Sequence, residues 1–153
     1  MQPLAHNHLT TLTLIIAFDA MAVVGKTPAG LRRIAPVTGG TFEGERLKGD
    51  VLGGADWVIN RPDGVMVIDV RLTLKTKDNA LIYLTYQGRF LAQADAMMRF
   101  AKGAMLEPSE YSLVIGAKFE SGHENYRWLN DVVAAGTGEQ TRTGPIYTIY
   151  EIG

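Results

Sequence analysis

The stretch Gly53-Gly54-Ala55-Asp56-Trp57-Val58-Ile59-Asn60, the four residues Arg61-Pro62-Asp63-Gly64, and then Val65-Met66-Val67-Ile68-Asp69-Val70-Arg71 decide how this chain is read. Pro62 presets φ at the second place of a turn, and Gly64 tolerates left-handed backbone at its end. The flanks are rich in Val and Ile with polar residues interleaved, as strands are. The stretch therefore reads as a hairpin. A four-residue loop pairs Asn60 with Val65, sets Asp56 opposite Asp69, and leaves Arg71 diagonally adjacent. A following two-residue turn at Asp78-Asn79 pairs Lys77 with Ala80 and places Arg71 opposite Tyr86.

Both registers bring Asp56, Asp69, Arg71 and Tyr86 to one sheet face, among Val58, Val67, Ile82 and Leu84. The other face carries Trp57, Ile59, Met66, Ile68, Val70, Leu72, Leu74, Leu81 and Tyr83. A slip of one residue in either turn would exchange the faces, because side chains alternate with period two. Neither face resembles the solvated side of an open sheet. Two covered faces point to an all-β fold: a single antiparallel β-barrel of about 8–10 strands, lipocalin-like or calycin-like, with one or two short helices.

Outward from this hairpin the chain keeps a strand rhythm. Leu9–Phe18 reads as a buried first strand. Its apolar run ends near Ala20-Met21-Ala22, an A-x-A pattern, but no Lys or Arg precedes it and Asp19 interrupts its end, so cleavage is not the reading adopted. Residues 1–8 are expected to be a flexible tail, with residues 9–153 as the barrel domain. Gly25-Lys26-Thr27 imitates the end of a phosphate loop, yet Ala20 stands where the first glycine is required. Arg32-Arg33 is taken as a solvated pair. Residues 89–108 break the rhythm, with a helix expected over Ala92–Phe100. Then come a strand at Tyr111–Phe119, one or two helical turns over His123–Asn130, and closing strands Val132–Gly138 and Ile146–Ile152, about nine strands in all.

The totals narrow the function. At 153 residues the chain fits one domain and can bury a core without staples. A net charge of −1, from 15 basic and 16 acidic residues, gives no electrostatic footprint for nucleic acid or an anionic membrane. With no cysteine there is no thiol catalysis, thiolate metal site or disulfide, and a cytoplasmic location is expected. No dinucleotide fingerprint, zinc-protease motif or nucleophile elbow is present. His6 and His8 are read as solvent-facing, so neither a metal nor a cofactor is expected.

Several pieces resemble the DUF3237 family of small bacterial and fungal proteins, also called UPF0311. They are Pro28-Ala29-Gly30 with Arg32-Arg33-Ile34, Thr38-Gly39-Gly40-Thr41-Phe42-Glu43-Gly44, Gly53-Gly54-Ala55-Asp56-Trp57, Arg61-Pro62-Asp63-Gly64, the strand carrying Asp69 and Arg71, Ala80-Leu81-Ile82-Tyr83, Phe119-Glu120, Tyr126-Arg127-Trp128-Leu129-Asn130 and Gly136-Thr137-Gly138. The resemblance runs from about residue 9 to the end and departs at residues 89–105. It implies a small antiparallel barrel, often oligomeric, and no particular reaction.

The chemistry is therefore read from the residues. Opposed carboxylates in a lumen have their pKa values driven apart, which divides acid from base work. On this reading Asp56 or Asp69 moves a proton, while Arg71 and Tyr86 hold a substrate oxygen. Trp57, Tyr83, Met97 and Trp128 are the candidate substrate contacts. The expected function is cofactor-free acid–base chemistry, that of a lyase, isomerase, hydratase or cyclase, on a carbonyl-containing or aromatic metabolite. The alternative is a non-catalytic carrier of an apolar small molecule, in which the Asp–Arg cluster is structural. The apolar outer face is expected to be covered in a homodimer or higher oligomer.

Overall fold

The computed structural model describes residues 1–153. Nine strands follow in order: β1 (His6–Ile16), β2 (Ala22–Thr27), β3 (Gly30–Glu43), β4 (Gly49–Asn60), β5 (Met66–Thr76), β6 (Leu81–Ala92), β7 (Tyr111–Glu120), β8 (Ala134–Gln140) and β9 (Pro145–Ile152). Each neighbour runs antiparallel. β1 pairs with β9 on one side and with β3 on the other, which closes eight strands into a barrel. β2 is the ninth, laid along the first part of β3. Closure removes the open edges that an exposed sheet would present. β1 starts at His6, inside the stretch expected as a tail, because His6, Asn7 and His8 pair with Ile152, Glu151 and Tyr150.

The inner rows fill the barrel. Leu12, Leu14, Phe42, Leu72, Leu74, Ile82, Leu84, Phe90, Tyr147 and Ile149 are all almost wholly buried. One helix, α1 (Ala94–Ala101), leans on one end, with Ala96 buried and Phe100 centred 5.0 Å from Phe90. β6 continues through Ala92, past residue 89 where a break was expected. The same end gathers the 3-10 turn Phe18–Ala20, the β4–β5 turn and the β8–β9 turn. The opposite end holds the β3–β4 and β5–β6 loops and the 3-10 helix Glu124–Asp131, where Tyr126 Oη donates to Asp78 at 2.7 Å. No helix is long and apolar enough to cross a membrane.

Both hairpin registers lie one residue from the expected ones. Asp56 pairs with Val70, and Val70 with Tyr86. The cause is the same in both turns. Gly64 takes φ +90° while its N–H donates to Arg61 O at 2.9 Å, and Arg61 N–H donates to Val65 O at 2.9 Å. That is a type I turn followed by a left-handed bulge residue, which uses a three-residue loop where a four-residue one was expected. Asn79, at φ 69°, closes the same kind of three-residue loop in place of the expected two-residue one, with Thr76 N–H donating to Ala80 O at 2.9 Å. The expected register survives only beyond a bulge at Leu52, where Val51 pairs with Leu74.

Two slips have unequal consequences. β5 turns over relative to β4 and again relative to β6, so Asp56 and Tyr86 stay on one surface. Val70, Ile68 and Met66 join them inside, while Asp69 and Arg71 go outside.

The bulge also explains a glycine. A Cβ on Gly54 would lie inside van der Waals contact with the Arg71 carbonyl oxygen, so only glycine fits where the strands draw together. Gly64 has open space around it and needs only its backbone freedom. Gly54→Ala should therefore cost about 3 kcal/mol, and Gly64→Ala about 1 kcal/mol. Urea denaturation of the two variants checks that order.

Candidate active site

Near the α1 end the lumen narrows to a cavity of about 100 Å³, whose polar wall is Arg33, Asp56, Tyr86, Gln140 and Tyr147. Met66, Ile68, Val70, Leu14, Val37 and Phe100 are among its apolar lining. Each polar group has a local reason to point inward. β3 alternates Arg33, Ala35 and Val37 on one face, and Ala35 pairs with Asp56. β9 alternates Pro145, Tyr147 and Ile149, which are all buried.

Asp56 is the centre. Trp57 and Val58 make no ladder pairs with Asp69 and Ile68, although pairing resumes on both sides. The open ladder frees the Asp69 N–H, which donates to Asp56 Oδ1 at 3.0 Å. Burial raises the Asp56 pKa from 3.8 to about 7; the Asp69 N–H pulls it down, the Asp69 charge pushes it up, and Arg33 pulls it down. Loss of solvation outweighs both stabilising partners. The carboxyl therefore exchanges its proton near neutral pH.

Arg33 is not the solvated residue expected. Its Nη2 donates to Asn60 Oδ1 at 2.7 Å, with Met66 Sδ at 3.5 Å. Nε is buried and has no hydrogen-bond partner. Burial lowers the Arg33 pKa and the charge of Asp56 raises it, but a guanidinium stays protonated in a protein. It brings a permanent positive charge, and its Nε–H is a buried donor without a partner. Tyr86 and Tyr147, with ring centroids 5.0 Å apart, form the facing wall. Burial drives both phenol pKa values upward, Tyr147 and Asp56 adding to the rise at Tyr86, and Asp56 to that at Tyr147. Both remain neutral donors.

The other expected site residues lie elsewhere. Asp69 and Arg71 line a shallow groove on the outer surface, and Arg71 sits 5.1 Å from the Trp57 ring centroid. Tyr83 is exposed on the outer face. Met97 packs against the core beside the cavity without lining it. Trp128 lies at the far end under Arg46, at 4.3 Å, with its indole N–H bound to Asn125 O. Arg33 and Tyr147 line the cavity, although neither is among the expected site residues. Strand alternation was the signal for both: Arg33 is in phase with Ala35 and Val37, and Tyr147 with Ile149. No cluster of three or more His, Asp or Glu side chains is placed to hold a metal.

The Asp56 shift makes a prediction about stability. A carboxyl whose folded pKa is raised favours its neutral form, so its contribution is full below about pH 4 and lost as pH rises through about 7. Asp56→Asn, neutral at every pH, should raise thermal stability at about pH 8, by at most ~4 kcal/mol. The gain should vanish below about pH 4. Melting curves across that range check both sign and window.

A closed eight-stranded barrel with one titratable carboxyl in an apolar cavity is a small-molecule-site architecture. The family model described as "Protein of unknown function (DUF3237)" matches residues 7–152, and the chain belongs to that family. The UPF0311 protein RPA1785 of Rhodopseudomonas palustris is 27% identical over 141 residues, 92% of each chain. Its crystal structure superposes with a TM-score of 0.93 at 25% identity, covering 100% of both chains. A β-barrel-like protein of Acinetobacter baumannii reaches 0.86 at 35% identity, over 100% of this chain and 98% of that one. More distantly, the hydroalkoxylation enzyme phnH of Penicillium herquei is 25% identical over 115 residues, 75% of this chain and 62% of that protein.

Proposed function

We propose that this chain is an enzyme that moves a proton within the barrel cavity, adding an O–H group across a C=C bond or eliminating it. The observation that carries the reading is the placement of Asp56: a carboxyl buried in a mostly apolar cavity with only one oxygen engaged by the protein, where loss of solvation raises its pKa to about 7. A group titrating near the working pH gives and takes a proton with similar ease. The name of the Penicillium relative supports this choice among acid–base reactions, since hydroalkoxylation is such an addition.

The step balances without a co-reactant. Neutral Asp56 gives its proton to one alkene carbon, and the substrate hydroxyl oxygen bonds to the other. The hydroxyl proton then passes to the carboxylate, which ends as it began. The C=C π bond and an O–H bond are lost; a C–H and a C–O bond form. The Arg33 Nε–H holds a carbonyl or phenol oxygen conjugated to the alkene, stabilising charge there through a donor already in place. The Tyr86 and Tyr147 hydroxyls are neutral donors on the facing wall and can orient the nucleophile.

The test is ring closure of a panel of ortho-alkenyl phenols, followed by chromatography and mass spectrometry. Asp56→Asn should lose roughly 10²–10⁴ of the rate, while Asp69→Asn, on the outer surface, should retain it. Full activity in Asp56→Asn would refute the assignment, and a purely binding role would then explain the cavity better.

Assembly is a separate proposal. Met66, Ile68, Val70, Leu72 and Leu74 face the core and no longer argue for a covered exterior. Exposed Leu81, Tyr83 and Val133 do, and a second copy across that face is the proposed cover. Light scattering at micromolar concentration should give a dimer mass; a monomer would count against it.

A further inference from the structure

The cavity is too small to hold a whole substrate. A site that admits benzene occupies about 150 Å³, and the space beside Asp56 is about 100 Å³. Only a compact apolar head fits there. The cavity opens, past residues it shares with the next pocket, into a vestibule of about 340 Å³ at the α1 end of the barrel. Arg33, Phe100, Phe18, Met21 and Gln140 belong to both spaces, so the two are continuous.

The vestibule has a definite chemistry. Its apolar surfaces include Phe18 and Met105, which stay substantially exposed, with nothing of this chain covering them. Its charged groups are Arg33 and Arg142, and no Asp or Glu lines it. Neither arginine has a carboxylate partner within ion-pair distance, whereas Arg46, Arg61 and Arg99 all do. Of the acids on the adjoining turns and helix, Asp63 and Asp95 are held by Arg61 and Arg99, and Asp19, unpaired between Phe18 and Met21, is exposed and does not line the vestibule. An apolar recess with two guanidinium groups outside ion-pair distance of any carboxylate, and no carboxylate in its own lining, favours an anion.

We infer that the substrate is an amphipathic anion: a short alkenyl head enters the cavity beside Asp56, and a carboxylate tail stays in the vestibule against Arg142 and Arg33. The inference rests on the proposed reaction site for the position of the head, and it adds the orientation and charge class of the molecule. Negative charge at the tail also keeps the anionic end away from Asp56, whose ionised form would repel it. The vestibule arginines thus determine which end of the molecule leads.

The probes are citronellate, methyl citronellate and citronellylamine, which share a dimethylalkenyl head and carry an anionic, neutral and cationic end. Calorimetric titration of the full-length protein at about pH 7 should rank citronellate at least tenfold tighter than the ester, with the amine weakest. Arg142→Gln should narrow the acid-over-ester ratio about fivefold while leaving ester binding unchanged. Equal binding of acid and ester, no binding of the acid, or an undiminished ratio in Arg142→Gln would each overturn the inference. Citronellate should also shift the methyl resonances of Met21 and Met105, and shifts confined to Met1 or Met98 would overturn the location. The same titrations in Asp56→Asn should keep the acid preference. Loss of turnover in that variant without any anion preference would sink only this inference; anion preference with full turnover would sink only the proposed reaction.

Discussion

The site depends on two single-residue bulges. Gly64 and Asn79 each accept a left-handed backbone at the end of a type I turn, and each thereby sets a three-residue loop, one residue shorter than expected at Gly64 and one residue longer at Asn79. The energetic preference behind this is small, because a left-handed residue costs about 1 kcal/mol unless it is Gly or Asn. Its structural effect is large, since alternation converts a one-residue shift into a change of face for the whole of β5. Val70, Leu72 and Leu74 fill the core as a result, and Asp69 and Arg71 meet solvent. The burial of five large apolar side chains on β5 is the term that makes the bulged register win. The register with Asp69 and Arg71 inward would have placed two charges in the core and those side chains in water.

Asp56 is then left as the single carboxyl inside. A pair of opposed carboxylates would have split into one high and one low pKa by mutual repulsion. A lone carboxyl reaches the same place by desolvation, and its partners decide how far it goes. Arg33 is near enough to lower the pKa yet makes its hydrogen bonds to Asn60 and Met66, so it does not neutralise the acid by contact. Had Arg33 formed a bidentate bridge to Asp56, the carboxylate would be locked in its charged form and useless as an acid. The spacing of the two groups is thus what keeps the proton exchangeable and leaves Nε available.

Much of the fold was readable because a barrel writes its own periodicity. Strand alternation, turn residues and the 89–108 interruption located β4 to β9, and the glycine density marked the bulges and close approaches. The family resemblance pointed to the same small barrel. Register was less accessible, since Pro-Asp-Gly after an arginine fits both a four-residue loop and a three-residue loop with a bulge. Asp56 and Tyr86 share a surface only because the second turn also departs from the expected register by one residue. Arg33 was misread for a different reason. An arginine doublet looks solvated by composition, but one member of any doublet in a barrel strand must face the lumen, and here the lumen is the face that Ala35 and Val37 also occupy. The rings of Trp57, Tyr83 and Trp128 suit substrate contacts, but ring chemistry does not say which face or which end of a barrel a residue occupies.

Size finally separates the candidate chemistries. A barrel whose lumen is packed through most of its length offers a reacting end only a few atoms of room, which disfavours reactions that need a second molecule beside the substrate. Addition of an internal hydroxyl to an alkene, or its reversal, needs none. One carboxyl that returns to its starting state suits it, since the proton taken from oxygen replaces the proton given to carbon. Excluding bulk water then serves the reaction directly. With a substrate filling the cavity, the apolar walls of Met66, Ile68 and Val70 would leave the tethered hydroxyl as the nearest nucleophile in the proposed addition. The same packing that turned β5 inward to bury those side chains is therefore what gives the single carboxyl the apolar surroundings that the proposed proton transfer would use.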